Sequence, residues 1–196
     1  MRPVKFILAS KSPRRKELLK RIIPADQIVV YGSNVSEKRR RDEPVDTFCM
    51  RIAEAKVAQV WGAYPGERAE IAAVIGADTV VLFKQEIIGQ PEDGQDAIRI
   101  LKKLSGKTHE VITGVAVFLQ SPARFKAFAV KSKVWMRETS EATIKDYVAT
   151  GEPLDKAGAY AIQGTGRRLV ARYEGSLTNI IGLPIEELYE ILSSVI

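Results

Sequence analysis

Val4 to Ala9 form an apolar run broken only by Lys5; it stops at Ser10, and beyond it Leu18, Leu19 and Ile22 return at helical spacing. The pattern predicts a short buried strand over 4–9, a tight turn, and a helix with Ser12 as its cap and Pro13 at its first position. A second short strand is expected at 28–31, followed by a polar stretch from Gly32 to Pro44. From Asp46 the segment DTFCMRIAEAKVAQVW places Phe48, Ile52 and Val60 as apolar anchors of a helix. Residues 73–83 (AVIGADTVVLF) are the most apolar segment and predict a central strand interrupted by Gly76-Ala77-Asp78-Thr79. A polar turn around Gln90-Pro91-Glu92-Asp93-Gly94 leads into a helix with Ala97, Ile98, Leu101 and Leu104, which Ser105-Gly106 ends. Segments 110–119 and 124–136, separated by Ser121-Pro122, read as an antiparallel pair. A helix at 140–149 follows. The glycine-punctuated KAGAYAIQGTGRRLVARYEGS reads as strand-like, and IEELYEILSSV as a closing amphipathic helix. Strands and helices mix without strict alternation, which predicts an α/β domain with a mixed sheet.

Composition narrows this picture. A chain of 196 residues that is 45% hydrophobic and 28% charged can bury one good core and has no case for extensive disorder. A single domain over 1–196, able to form two lobes, suffices. No apolar run reaches the roughly 18 residues of a membrane span, and the N-terminal stretch lacks a signal peptide's long apolar segment, so a cytoplasmic protein is expected. One cysteine, Cys49, leaves no intrachain disulfide and no cysteine-rich metal site; beside Phe48 and Ile52 it reads as packing rather than as a nucleophile. One histidine, His109, leaves no histidine-rich zinc site and reads as structural. Any metal would fall to carboxylates, which favour hard divalent ions such as Mg²⁺ or Mn²⁺.

The net charge of +6 suits nucleotides, nucleic acid or a solvated basic surface. Its densest run, Glu37-Lys38-Arg39-Arg40-Arg41-Asp42-Glu43, is flanked by acids and reads as a solvated loop. It contains none of the aromatic residues that single-strand nucleic-acid binding uses, which argues against that partner.

Chemistry enters at the first helix. Arg14 and Arg15 stand at its start, where a helix already carries partial positive charge, so a negative ligand is expected there. Guanidinium forks and helix-start donors together suit phosphate groups. On the helix after Asp46, Lys56 falls about 40° from Ile52, toward the apolar face. It either snorkels to solvent or reaches into a cleft to meet phosphate. Asp78 sits inside the most apolar run, which is costly for a charge unless it is paired, hydrogen-bonded or metal-bound. It is the leading catalytic candidate; a hydrogen-bonded structural aspartate is the alternative. With Glu37 in the loop, these residues suggest metal-assisted phosphate chemistry. The usual fingerprints are missing, since there is no GxxxxGK[ST] and no dinucleotide loop.

The stretches LASKSPRRKELL (8–19), GADTVV (76–81), LSGKTHEVITGV (104–115), YVATGEPLDKAGAYAIQG (147–164) and GLP (182–184) resemble, in order and over nearly the whole chain, the Maf, or septum-formation-inhibitor, family of nucleoside triphosphate pyrophosphatases. The resemblance implies a two-lobed fold with a mixed twisted sheet, like that of inosine triphosphatases. It implies hydrolysis of a nucleoside triphosphate to monophosphate and pyrophosphate with a divalent metal, Mg²⁺ or Mn²⁺. Carried onto this chain, Ser10, Arg14 and Arg15 would bind phosphate or shape the nucleotide pocket, and Lys56 would neutralise phosphate charge. Glu37 and Asp78 would hold the metal, with Asp78 also the base for the attacking water. Arg14 after the proline, Thr79 after the aspartate and Gln163 in AIQG resemble the subgroup that takes dTTP and UTP; an amide at Gln163 can both donate to and accept from a pyrimidine edge. Related modified pyrimidine nucleotides are further expected substrates. The alternatives are the subgroup that takes 7-methyl-GTP and a catalytically weakened nucleotide-binding regulator. The second is motivated by Gln90, which stands where the family has a lysine in a GKP turn; an amide hydrogen-bonds phosphate without neutralising it. The resemblance also suggests a homodimer.

Overall fold

The fold of residues 4–196 is described from a computed structural model. Strand Lys5–Leu8 (β1) runs into helix Pro13–Leu19 (α1), as the sequence pattern requires: Ser12 caps the helix by accepting from Arg15 N, and Pro13 takes its first turn. Strand Ile28–Val30 (β2), helix Val45–Ala63 (α2), the long strand Ile71–Phe83 (β3) and the short strand Glu86–Ile88 (β4) follow. Helix Gly94–Leu104 (α3) precedes strands Thr108–Gln120 (β5) and Ala123–Met136 (β6), joined through Ser121-Pro122. Helix Glu141–Ala149 (α4), strand Val170–Glu174 (β7) and helices Leu177–Ile181 (α5) and Ile185–Leu192 (α6) complete the chain. The strand order is β2-β1-β3-β5-β6-β7, with β4 on β3. The sheet is mixed: β1 is parallel to β2 and β3, whereas β3 with β4 and β6 with β7 are antiparallel.

Among the described residues, contacts divide the chain into two compact units, one of residues 4–78, Thr113–Val130 and Gly182–Ile196, the other of Thr79–Ile112 and Lys131–Ile181. In the first, α2 rests on sheet backbone at two glycines. A Cβ at Gly76 would lie 2.5 Å from the Ala53 carbonyl oxygen, and one at Gly114 would lie 2.3 Å from the Cys49 carbonyl carbon. Only hydrogen fits at these points. Around this seat Ile7, Ala9, Ala53, Val57, Val60, Val74 and Ala116 form a buried cluster, in which each large aliphatic side chain contributes about 1.5–3 kcal/mol. Gly76 therefore does not interrupt the apolar strand, as the sequence pattern suggested; β3 is continuous through Gly76 and Asp78, and the glycine serves the close approach of the helix.

In the second unit α3 packs on α4, each capped by a side chain: Asp93 accepts from Asp96 N at 2.8 Å and Ser140 from Thr143 N at 3.2 Å. The β3–β4 hairpin turns through Lys84 and Gln85, both at positive φ (49° and 67°), without the Asn-Gly or Asp-Gly pair that advertises such turns. The stretch after α4 is strand only from Val170 to Glu174. Before it lie 3-10 turns at Glu152–Asp155, Ala157–Ala159 and Gly164–Leu169, because Gly158 (φ 74°) and Gly164 (φ 65°) take left-handed conformations that a ladder does not accommodate.

Candidate active site

Lys56 is the centre of the polar cluster in the first unit. It sits one turn beyond Ala53, the residue pressed onto Gly76, and so faces the strand at Ala77 and Asp78. Its Nζ donates to Asp78 Oδ1 at 2.8 Å, to Glu37 Oε1 at 2.7 Å and to the Ala77 carbonyl at 3.3 Å. Three N–H groups meet three acceptors, which is a full complement for an ammonium group. Lys56 and Asp78 are 7% and 5% exposed; the lysine does not snorkel, because the carboxylate beside it needs a compensating charge. Glu37 reaches this pair from the loop before α2 with its side chain more than half exposed.

The turn after β1 contributes Ser10, and the first turn of α1 contributes Arg14 and Arg15. Ser10 is buried, and its Oγ accepts from Ser12 N and from Arg15 Nη1, both at 3.2 Å. Arg15 also donates through Nε to the Gly182 carbonyl at 2.9 Å, which ties the turn to the GLP segment. Burial holds its guanidinium below the ordinary value, an effect that the Asp78 carboxylate opposes and the Arg14 charge reinforces. Arg15 thus lies in the electrostatic field of Asp78. The seven-residue α1 already has its Arg15 N–H engaged by Ser12. The favourable field for an anion here comes from guanidinium groups, and the helix start itself supplies less than the sequence suggested. Arg14 is half-buried beside them.

The acidic and basic run at 37–43 is not a loose solvated loop throughout. Glu43 is 8% exposed, and Arg51 of α2 meets its carboxylate with two hydrogen bonds, Nε to Oε1 at 2.6 Å and Nη2 to Oε2 at 2.8 Å. Nothing in the local pattern announced this pair, since its members lie eight residues apart with the start of a helix between them.

Thr79 and Gln163 belong to the second unit. Thr79 is half-buried on β3, and Gln163 is exposed. The backbone around Gln163 is held on both sides: Ala161 N donates to Tyr147 Oη at 3.1 Å, and Gly166 N donates to Glu152 Oε2 at 3.1 Å. Gln90 donates through Nε2 to the Asp155 carbonyl at 3.1 Å, so its amide is joined to the 152–158 turns. His109 is buried, with Nε2 2.8 Å from Tyr160 Oη; burial lowers its pKa to about 4 and raises that of Tyr160. Burial likewise pushes the Cys49 thiol up to about 12, which fits packing and gives no nucleophile.

A sequence profile described as Maf-like protein matches residues 5–195. The chain belongs to the Maf family. Among Maf-family relatives, the dTTP/UTP pyrophosphatase of Geobacter sp. (strain M21) is 43% identical over 198 residues, covering 98% of this chain and 96% of the relative. The dTTP/UTP pyrophosphatase of Dictyoglomus turgidum is 46% identical over 190 residues, covering 96% and 94%. A solved structure of a HAM1 protein from Coxiella burnetii aligns over 98% of this chain and 100% of that one with a TM-score of 0.52 at 9% identity, which shows a shared fold.

The donor chemistry of the Asp78–Lys56–Glu37 cluster suits a hard divalent ion. Two carboxylate oxygens, Glu37 Oε1 and Asp78 Oδ1, already converge on one cation, the Lys56 ammonium. Among the described residues no group of three or more His, Cys, Asp and Glu side chains could hold a metal, so the remaining ligands would have to be water and phosphate oxygens. That is the usual arrangement for Mg²⁺.

Proposed function

We propose that the chain is a nucleoside triphosphate pyrophosphatase that hydrolyses dTTP and UTP to the monophosphate and pyrophosphate. The observation that carries this reading is the Asp78–Lys56–Glu37 cluster, a buried carboxylate held beside a cation in the first unit. The names of the relatives, at 43% and 46% identity over nearly the full chain, supply the substrate class. The whole of 1–196 acts as one Maf-like catalytic domain.

Asp78 takes the proton from the attacking water, and its charge is offset by Lys56 so that the buried carboxylate is tolerated. Lys56 stays close enough to share the developing negative charge of the phosphates. Arg14 and Arg15, with Ser10 bracing Arg15, orient the triphosphate. Glu37 and Asp78 would hold Mg²⁺ or Mn²⁺, and the ion would supply neutralisation of phosphate charge and promote ionisation of water. Thr79 and Gln163 read the base. Among the described residues no helix is long and apolar enough to cross a membrane.

The test is a nucleotide panel that includes 7-methyl-GTP, with pyrophosphate and orthophosphate measured separately. dTTP and UTP should give pyrophosphate, and Asp78→Asn should lose roughly 10²–10⁴-fold in kcat. Orthophosphate as the first product would rule the reaction out, and binding without turnover would leave a regulator. In the same panel Gln163→Glu should shift preference away from dTTP and UTP; an unchanged profile would refute its reading role.

A further inference from the structure

The loop from Gly32 to Pro44 is fastened to α2 at three levels, and as the loop advances the contacts step backward along the helix. Asn34 N donates to Gln59 Oε1 at 2.7 Å. Glu37 Oε1 lies 2.7 Å from Lys56 Nζ. Arg51 then takes the Glu43 carboxylate in a two-bond fork and donates through Nη2 to the Lys38 carbonyl at 3.1 Å. The segment 38–43 closes on itself around Glu43: its Oε2 accepts from Arg40 N at 3.0 Å, and Arg39 Nε donates to its carbonyl at 2.7 Å. Arg51 also lies 5.6 Å from the Phe48 ring centroid, which limits where its guanidinium can go.

Burial is distributed unevenly over this knot. Glu43 is nearly inaccessible and the Arg51 side chain is 24% exposed, while the Glu37 side chain is 55% exposed and has Lys56 as its ion-pair partner. Fixing a flexible, half-exposed glutamate costs rotamer freedom. Lys38, Arg39, Arg40 and Arg41 directly follow it and repel one another. The forked pair, immune to sliding because both oxygens are engaged, counters that repulsion and sets the position of the backbone next to Glu37. Arg51 and Lys56 lie five residues apart on one helix, about 7.5 Å along its axis, so α2 acts as a common mount for both ends of the segment.

We propose that Arg51 and Glu43 are positioning residues: their ion pair pins the 38–43 knot to α2 and thereby presents Glu37 to Lys56 and Asp78 as a ligand for the divalent cation. This rests on the metal-binding role given to Glu37 above, and the test separates the two. Two readouts are taken on the full metal-free chain. Trypsin reads the knot, because Lys38-Arg39-Arg40-Arg41 offers it consecutive cleavage positions. Calorimetric Mn²⁺ titration reads the ligand.

Arg51→Gln, with Glu43→Gln as the milder second variant, should speed cleavage within 38–41 several-fold and weaken Mn²⁺ binding roughly 10–100-fold, the usual cost of losing a ligand's support. Glu37→Gln should weaken Mn²⁺ binding without the tryptic change. Adding Arg51→Gln to Glu37→Gln should cost little further Mn²⁺ affinity, because the pair acts through Glu37. Fully additive losses, or an Arg51→Gln protein that binds Mn²⁺ normally while Glu37→Gln does not, would overturn the positioning role. Undiminished Mn²⁺ binding by Glu37→Gln would instead defeat the metal role of Glu37, and cleavage as slow in Arg51→Gln as in the wild type would defeat the pinning.

Discussion

The two units bury polar groups in opposite ways. In the first, Lys56 enters the core as a charge and is met by two carboxylates and a carbonyl. In the second, His109 is buried opposite a single neutral hydroxyl, Tyr160, and its Nδ1 has no hydrogen-bond partner among the described residues. A carboxylate neighbour makes the buried cation tolerable, whereas a phenol leaves desolvation unopposed and the ring neutral. The contrast separates a cluster equipped for charged ligands from a neutral ring held through one of its two nitrogens. It also explains why the single histidine is a poor candidate for acid–base work at neutral pH.

The comparison breaks most visibly at Lys56. Lys56→Met strands Asp78 in a buried site and should cost about 3–5 kcal/mol of unfolding free energy, read by urea denaturation without metal. Mn²⁺ should restore part of the loss by taking over the compensating charge. A variant within about 0.5 kcal/mol of the wild type would show that the pair contributes nothing net.

His109 sharpens the other side through pH. Its folded pKa, about 4, lies below the usual 6.5, so between those values the unfolded chain binds a proton that the folded chain refuses. Its contribution is complete above pH 6.5 and is lost as pH falls toward 4, on the order of 3 kcal/mol in all. His109→Gln, which keeps a polar group for Tyr160, should flatten the stability profile in that window. An unchanged slope would move the acid sensitivity elsewhere.

Much of this was legible in the chain itself. Ser12 and Pro13 announced α1, the apolar anchors announced α2, and a charge inside the most apolar strand singled out Asp78, because capping, periodicity and desolvation are local rules. The wheel placed Lys56 toward the core but left its partner open; only the seat of α2 on Gly76 and Gly114 brings it to Asp78. The Glu43–Arg51 pair was invisible because loop-to-helix contacts have no fixed period. Gln85 at positive φ hid the β3–β4 hairpin for a related reason, since the turn uses residues that do not favour it. The bracing of Arg15 by Gly182 spans 167 positions, beyond the reach of any local pattern.

The glycine seat under α2 has an architectural consequence. Elsewhere in a core, neighbouring side chains can trade volume and keep the layers in place, but a main chain lying on a main chain has no such slack. A single methyl at position 76 or 114 would have to lift the helix off the strand, carrying the ammonium away from its acid while leaving every polar residue of the cluster chemically intact. The alignment of the cluster is thus enforced by two positions that carry no chemistry at all.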